Sequence, residues 1–296
     1  MKEIAIIGPT ASGKTNLALK IAKETDSIIL SLDSLSVYKE IDIASAKPSK
    51  EQLEDVFHFG VNEVFSNEKF DVLSFFEIYK KAKEYALKNQ KNIIICGGSG
   101  FYLKSLIDGI SPNVNASNED VLWAKQMIED LPKSYELLQT IDLPYSSRIY
   151  ANDKYRIEKA LLIYKSTKLS PTEFFKQNPK MPLIKNIEIF EVFWPKDELR
   201  KRINVRTKNM FDEGLVDEVK FLISKYGKNQ VPFGSIGIKE VIDFFDNKIG
   251  LQECMNLVEI HTSQLAKKQR TFNSGQFKNK ISDTLQTLEK EIFKIF

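Results

Sequence analysis

The sequence has few of the residues that build metal clusters and disulfide frameworks. Among its 296 residues there are 2 cysteines, Cys96 and Cys254, and 2 histidines, His58 and His261. So few thiols exclude a disulfide framework or a zinc–cysteine cluster, and so few imidazoles make a histidine-based metal centre a poor hypothesis. The chemistry must therefore come from carboxylates, hydroxyls, lysines, arginines and backbone amides, and we expect a reducing, cytoplasmic compartment.

Long apolar runs are missing as well. No run reaches the ~18 residues that a membrane-spanning helix needs. The chain opens with Lys2 and Glu3, followed at once by a short strand-like run, which is not the pattern of a signal peptide. We therefore expect no association with a membrane.

A strong excess of charge of one sign is also absent, but the basic residues are unevenly placed. The 43 lysines and arginines nearly balance 40 acids, and the net charge is +3. Residues 200–208 and 267–280 nevertheless carry several basic side chains and no acid. Such clusters indicate a polyanionic partner, although two solvated helix faces would look the same.

Short apolar runs predict the strands of a buried parallel sheet. Ile4–Ile7, Ile28–Leu30 and Ile93–Cys96 are continuous apolar segments, and helical periods lie between them. Residues Ile187–Phe193 alternate between polar and apolar, which predicts a strand that returns to the same sheet. The alternation of strands and helices favours an α/β fold with helices on both faces.

The texture of the sequence changes from about residue 111. Prolines and asparagines punctuate residues 111–185, where helical periods continue and strand-like runs are missing. We therefore predict a parallel-sheet core made of residues 1–110 and 186–296, interrupted by a small all-helical domain at 111–185. The last part of the chain, after Pro195, is predicted to be mostly helical.

Residues 8–15 match the P-loop pattern of a glycine, four residues, a second glycine, a lysine and a serine or threonine. Their sequence is Gly8-Pro9-Thr10-Ala11-Ser12-Gly13-Lys14-Thr15, with a predicted strand before and a predicted helix after. The glycines let successive backbone amides point into one cavity, and the helix adds the positive end of its dipole. Lys14 adds a charge, and Thr15 is a candidate ligand for Mg²⁺. The segment predicts a site for a diphosphate or triphosphate.

Two further residues follow predicted strands, where α/β sheets carry their functional groups. P-loop hydrolases usually have a strand that ends in a magnesium-binding acid, but here Ile93–Cys96 is followed by glycines and Ser99. The available carboxylate is Asp33, which is also compatible with a helix N-cap, as Ser99 is with an ordinary loop. Together they suggest a transfer: the P-loop holds a phosphate leaving group, Ser99 donates to it, and Asp33 accepts a proton from the nucleophile.

The residues that carry these features resemble the tRNA dimethylallyltransferases, a family whose fold is similar to that of P-loop kinases. The matching segments keep the family's order over nearly the whole chain: 8–15, Asp33–Lys39, Asp42–Pro48, Gly97–Lys104, Arg156 with Ala160 and Leu161, Arg202 with Arg206, Ile236–Glu240 and Ala266–Gln269. Ser99 stands where the family usually has threonine, and Phe272-Asn273-Ser274 replaces the usual Trp-Phe-Arg.

The resemblance implies a reaction and roles for residues. The dimethylallyl group of dimethylallyl diphosphate moves to the exocyclic amine of the tRNA adenosine 3′ of the anticodon, and diphosphate leaves. By this resemblance Asp33 is the general base, Ser99 contacts the bridging oxygen, Lys14 and Arg206 neutralise phosphate charge, and Thr15 binds Mg²⁺.

The resemblance also implies an RNA-binding surface. The adenosine must be flipped out of the anticodon stack, and the helical insertion would grip the anticodon stem-loop. The residues implied in tRNA binding are Asp33, Ser34, Leu35, Ser36, Ser99, Tyr155, Arg156 and Lys159. For Tyr155 on a helix, packing into a core is the alternative. We expect the protein to act as a monomer.

Three other functions remain open from the sequence. A small-molecule or nucleoside kinase would use ATP at the same loop, although no strand-end acid supports it. A non-catalytic RNA-binding protein would have no reason to keep Lys14, Thr15, Asp33 and Ser99 together. An enzyme that prenylates free adenine nucleotides would need neither the insertion nor the basic clusters.

Overall fold

The computed structural model describes residues 1–296, and its strands form one parallel sheet. The strand order is β3-β2-β4-β1-β5-β6, and every neighbouring pair is parallel. The strands are β1 Glu3–Ile7, β2 Ser27–Ser31, β3 His58–Phe59, β4 Asn92–Gly97, β5 Glu188–Val192 and β6 Ile281–Asp283. The predicted α/β fold with a parallel sheet is confirmed.

The centre of the sheet is buried because its strands are apolar on both faces. Ile6 of β1 lies opposite Cys96 of β4 and Phe190 of β5, and all three side chains are buried. Since the strands are parallel, the carboxyl ends of β1, β2 and β4 reach the same edge of the sheet. This edge receives the P-loop, Asp33 and Ser99.

The chain forms two compact units, Met1–Lys104 with Asn186–Phe296, called the core, and Ser105–Lys185, called the insertion. The core contains α1 Lys14–Glu24, α2 Lys50–Asp55, α3 Val72–Lys88, the start of α4 Gly100–Asp108, α10 Lys196–Asp212, α11 Leu215–Tyr226, α12 Ile238–Phe245, α13 Leu251–Gln276 and α14 Leu285–Phe293. A short 3-10 helix spans Val231–Gly234. The boundary at Ser105 lies six residues before the sequence-based boundary at 111.

The insertion is entirely helical between its ends. Its helices are α5 Asn118–Met127, α6 Leu131–Ile141, α7 Leu143–Ser146, α8 Lys154–Thr167 and α9 Pro171–Gln177. Side chains of Ser117, Asp130 and Asp153 cap the first N–H groups of α5, α6 and α8, which fixes where these helices begin. The insertion also has a small core of its own, built around Ile128, Leu138, Ile157, Ala160 and Leu161.

Two edge strands were not predicted from the sequence. The β3 strand has 2 residues, and β6 has 3, of which 2 are exposed. Neither contains an apolar run, because an edge strand needs only one covered side. None of the helices combines the length and the apolar character that crossing a bilayer requires.

Candidate active site

The loop between β1 and α1 has the conformation that the P-loop pattern predicts. The strand ends at Ile7 and the helix begins at Lys14, with no side chain capping its first N–H groups. Gly13 has a φ of 87°, a left-handed conformation that glycine adopts without strain. Free N–H groups at the positive end of a helix dipole make this turn a site for an anion.

Two side chains from the second half of the chain brace this loop. Trp194, just after β5, donates from Nε1 to the carbonyl oxygen of Ser12 at 2.8 Å. Arg202 of α10 donates from Nε to the carbonyl oxygen of Ala11 at 2.7 Å, and its guanidinium lies 4.6 Å from the centre of the Trp194 ring. Neither role was predicted from the sequence. A tryptophan directly after a core strand, in a chain with 2 tryptophans, was the available signal.

Gln269 of α13 reaches the loop from a third direction. Its Oε1 accepts a hydrogen bond from the backbone N–H of Thr10 at 2.8 Å. A Cβ on Gly98 would lie 2.4 Å from Nε2 of Gln269, so only glycine leaves room for this amide. Gln269 thus joins the P-loop to the loop that carries Ser99. Gln269 lies in one of the segments that match the family, but the sequence alone predicts no role for it.

Lys14 and Arg206 bring two basic side chains to the P-loop. Nζ of Lys14 donates to the carbonyl oxygen of Pro9 at 3.2 Å. Burial lowers the pKa of Lys14 below 10.5, and Arg206 adds to this effect whereas Asp33 opposes it. Burial also lowers the pKa of Arg206 below 12.5, again opposed by Asp33. A bound polyanion would reverse both shifts, because it stabilises the charged forms.

Asp33 lies just beyond β2 in a turn that its own side chain closes. Its Oδ1 accepts hydrogen bonds from the backbone N–H groups of Leu35 at 2.8 Å and Ser36 at 3.3 Å. Residues 34–37 form a turn and not a helix, so the alternative role of helix N-cap is wrong. The turn fixes the carboxylate at the strand end, and its charge acts on both Lys14 and Arg206.

Ser99 is held beside Asp33 by the backbone. The N–H of Ser99 donates to the carbonyl oxygen of Leu32 at 3.0 Å, and the N–H of Leu32 donates to Cys96 at 2.7 Å. These bonds extend the pairing of β2 and β4 past the last strand residues. A Cβ on Gly97 would lie 2.7 Å from the backbone of Leu32, which explains the glycine. The structure therefore brings the two residues together.

Two adjoining cavities open at this edge of the sheet. We name them after the group transfer that the sequence predicts: the donor-side cavity would hold the molecule with the phosphate leaving group, and the acceptor-side cavity would hold the nucleophile. The acceptor-side cavity, of about 350 Å³, is lined by residues that include Asp33, Ser34, Leu35, Ser36, Ser99 and Gln269. The donor-side cavity, of about 570 Å³, is lined by residues that include Ala11, Ser12, Gly13 and Arg202. Both are lined by Lys14, Thr15, Ala46, Pro48, Arg206 and Met210. A group held at the P-loop is thus within reach of a second molecule beside Asp33.

Not every residue of the predicted P-loop faces these cavities. Gly8 and Pro9 line neither of them. Gly8 has a structural role, because a Cβ there would lie 3.0 Å from Oγ of Ser12 and 3.3 Å from the backbone oxygen of Val192. Thr10 lines the acceptor-side cavity only. The direct anion contacts available in this loop therefore come from residues 11–15.

One carboxylate of α11 fixes the segment Asp42–Pro48, which walls both cavities. Glu218 accepts hydrogen bonds from three successive backbone N–H groups, at 2.8, 2.7 and 2.9 Å, those of Asp42, Ile43 and Ala44. Such a turn would otherwise present its amides to solvent or to an anion. The role of Glu218 was not predicted from the sequence, because the carboxylate and the N–H groups that it binds lie about 175 residues apart.

The residues predicted to contact RNA from the insertion lie on the first turns of α8. Tyr155 is 68% exposed, so the alternative of core packing is wrong. Arg156 forms an ion pair with Asp153, the capping residue of this helix. Nζ of Lys159 lies 5.7 Å from the centre of the Tyr155 ring. An exposed ring with a lysine beside it is suited to a nucleic acid.

The residues available for a metal ion are few. No group of three or more histidines, cysteines, aspartates or glutamates is arranged to hold one. Thr15 is the only hydroxyl residue that lines both cavities. Mg²⁺ takes few protein ligands and completes its shell with water and phosphate oxygens. One threonine hydroxyl at an anion site therefore fits an ion that arrives with a diphosphate.

Comparison with known proteins identifies the family. The sequence model of the IPP transferase family matches residues 36–276. The chain belongs to the IPP transferase family. The tRNA dimethylallyltransferase of Aliarcobacter butzleri is 51% identical over 297 residues, covering 100% of this chain and 99% of the relative. That of Nautilia profundicola is 50% identical over 289 residues, covering 97% and 98%.

Solved structures agree with this assignment. The tRNA isopentenylpyrophosphate transferase of Bacillus halodurans superposes with a TM-score of 0.73 at 25% identity, covering 99% of this chain and 95% of that one. A eukaryotic dimethylallyltransferase acting on tRNA superposes with a TM-score of 0.83 at 23% identity, covering 96% and 74%, which shows the shared fold. The predicted membership of a prenyltransferase family is confirmed, and a P-loop kinase is not favoured. The IPP transferase relatives thus match the core and the insertion together.

Proposed function

We propose that the protein transfers the dimethylallyl group of dimethylallyl diphosphate to the exocyclic amine of the adenosine 3′ of the anticodon in tRNA. The observation that carries this proposal is the meeting of the two cavities at Lys14, Thr15 and Arg206. An anion site lies on one side of this junction and a fixed carboxylate on the other. Such an arrangement suits the displacement of a phosphate leaving group by a weakly acidic amine.

The proposed reaction forms one bond and breaks one bond. The adenosine amine forms a bond to the first carbon of the dimethylallyl group, and the carbon–oxygen bond to diphosphate breaks. The electron pair of that bond leaves with the diphosphate, and the amine loses a proton to Asp33. A positioned base of this kind typically contributes about 10²–10⁴-fold to the rate.

The leaving group is stabilised by groups that are fixed before it develops charge. The N–H groups at the start of α1, Lys14 and Arg206 face the diphosphate, and Ser99 donates to its bridging oxygen. Preorganised donors are effective because they need no rearrangement during the reaction. Mg²⁺ held at Thr15 would supply further neutralisation of the departing charge.

The insertion is proposed to bind the anticodon stem-loop. Tyr155 offers a ring on which a base can stack, and Arg156 and Lys159 offer charges for phosphates. Ser34, Leu35 and Ser36 line the acceptor-side cavity, where a flipped adenosine would enter.

One assay tests the proposed function. The protein is incubated with Mg²⁺, dimethylallyl diphosphate and an anticodon stem-loop RNA that has adenosine 3′ of the anticodon. We expect the RNA to gain the mass of one isoprene unit and an equal amount of diphosphate to appear. A matched stem-loop with guanosine at that position is the control. Rapid hydrolysis of ATP, or prenylation of free adenosine monophosphate with none of the stem-loop, would contradict the proposal.

A further inference from the structure

Gln269 has one half of its side-chain amide in use and the other half free. Its Oε1 accepts the N–H of Thr10 at 2.8 Å. A backbone N–H can only donate, so this bond fixes which end of the amide is oxygen. The NH₂ group therefore points away from the P-loop amide. It lies next to Gly98, whose missing side chain makes the space.

The free NH₂ belongs to the acceptor side of the site. Gln269 lines the cavity that also contains Asp33 and Ser99, and it does not line the donor-side cavity. On the same helix, Lys267 and Lys268 are exposed, whereas Gln269 is partly buried. The residues of this helix that line the cavity are Val258, Thr262, Leu265 and Gln269. None of them is charged, and Gln269 carries the only N–H donor groups among them. A neutral donor suits an uncharged base better than a diphosphate.

The chemistry of adenine defines what such a donor would bind. The exocyclic amine of adenine has a ring nitrogen on each side of it. N1 lies on one edge of the base and N7 lies on the other. Both nitrogens are acceptors without hydrogen in adenine. When the amine faces Asp33, either N1 or N7 must face the part of the cavity wall next to Asp33. Guanine carries a hydrogen on N1 and an oxygen in place of the amine.

We propose that Gln269 is a specificity-determining residue whose Nε2–H donates to a ring nitrogen of the acceptor adenine. This inference rests on the proposed function and deepens it. Thr10 holds the amide in the orientation that presents a donor, and Gly98 leaves the space in which it lies. The P-loop therefore binds the diphosphate and also orients the group that recognises the base.

The test combines changes in the protein with changes in single atoms of the RNA. Stem-loops carrying adenosine, 1-deazaadenosine or 7-deazaadenosine 3′ of the anticodon are compared by kcat/KM. With wild-type protein we expect one deaza substrate to react about ten-fold more slowly than adenosine, the effect of one lost hydrogen bond. The identity of that substrate tells which ring nitrogen is bound.

Two variants remove the donor. Gln269→Glu keeps an acceptor for Thr10 and loses the N–H groups, and Gln269→Met loses both without adding charge. In each we expect adenosine to become as slow as the discriminating deaza substrate, so that the ten-fold ratio falls to about one. Gln264→Glu, an exposed position of the same helix, is the control and should keep the wild-type ratio. Thermal unfolding checks that the variants remain folded.

Three results would overturn the inference. Persistence of the ratio in either folded variant would show that Gln269 does not make the contact. Equal rates of wild-type protein on all three RNAs would show that no ring nitrogen is bound. A defect confined to KM for dimethylallyl diphosphate would assign the amide to the leaving group. In all three cases wild-type protein still prenylates the adenosine stem-loop, whereas its failure to do so would remove the proposed function as well.

Discussion

The two sides of the candidate active site are built in different ways. The donor side combines one continuous segment, Ala11–Asn16, with Arg202 and neighbouring residues of α10 and with residues between Ile43 and Gln52. The acceptor side is assembled from the ends of β2 and β4 and from α10 and α13, segments that are distant in the sequence. A continuous loop depends on local conformation, whereas an assembled wall depends on the sheet order and on helix packing.

The two sides also differ in charge. The donor side has a helix N-terminus and basic side chains, which suit a diphosphate. The acceptor side has a carboxylate, several hydroxyls and a carboxamide, which suit a neutral base with donors and acceptors. Only Lys14 and Arg206 belong to both sides as charged groups. Substitutions should therefore separate effects on the leaving group from effects on the acceptor.

The largest effect is expected for Asp33→Asn on the acceptor side. Asparagine keeps an Oδ1 for the N–H groups of Leu35 and Ser36, so the turn is retained while the base is lost. We expect single-turnover prenylation to fall about 10²–10⁴-fold with little change in RNA binding. Asp55→Asn, at a surface ion pair with Lys23, is the control. An unchanged rate would remove Asp33 as the base.

The next largest effect is expected for Lys14→Met on the donor side. A charge-assisted bond to a phosphate is worth about 1.5–3 kcal/mol, so diphosphate affinity should fall roughly 10- to 100-fold. Competition by inorganic diphosphate in the prenylation assay measures this affinity. Lys20→Met, on the same helix with a surface partner in Glu289, should bind normally. If RNA affinity falls as much as diphosphate affinity, the separation of the two sides is wrong.

Glu218→Ala should weaken the wall that both sides share. The carboxylate holds three backbone N–H groups, and we expect a loss of about 1–3 kcal/mol in the free energy of unfolding. Urea denaturation measures this loss, and KM should rise for both substrates. Asp217→Ala changes the neighbouring exposed acid of the same helical turn and should have little effect. Equal effects of the two substitutions would mean that stability falls because a negative charge is removed and not because the three hydrogen bonds are lost.

Tyr155→Ala tests whether the insertion contributes to the acceptor side. A stacked base is worth about 1–3 kcal/mol by alanine substitution, so stem-loop affinity should fall about ten-fold without a change in diphosphate affinity. Tyr164→Ala is the control, since nine residues along an α-helix lead to the opposite face. Fluorescence anisotropy at increasing salt measures both. Equal losses for the two tyrosines would contradict the assigned face.

The smallest effect concerns pH. The pKa of Lys14 is lowered in the folded protein, so the folded state binds fewer protons than the unfolded state between that pKa and 10.5. Stability attributable to Lys14 should therefore increase as pH rises through this window. We expect Lys14→Met to be more stable than wild type at neutral pH, with the difference shrinking toward pH 10.5. A difference independent of pH would contradict the burial of a charged Lys14.

Features whose signal is continuous in the chain were the ones best predicted from the sequence. The P-loop, the central strands and the helical character of residues 111–185 each depend on neighbours in the sequence. The positions of Asp33 and Ser99 at strand ends followed from the same local patterns. The strands β3 and β6 were missed because 2 and 3 residues are too short to show a period. The predicted RNA contacts of Tyr155, Arg156 and Lys159 remain predictions.

The site residues whose roles were not predicted from the sequence have a different feature in common. Trp194, Gln269 and Glu218 act through backbone atoms that lie 182, 259 and about 175 residues away. Nothing local distinguishes such a side chain from an ordinary helix or loop residue. Their roles follow only when α10, α11 and α13 are placed against the sheet.

The amino-acid order alone determined a phosphate-binding turn between a buried strand and a helix, since glycine conformation, backbone amides and helix dipole are local properties. It also determined that a parallel sheet would carry this turn, because its strands are apolar on both faces. Only the tertiary structure decided what stands beside the turn. Packing of distant helices sets which carboxylate, hydroxyl and amide face the second cavity, because those contacts join residues that no short segment contains.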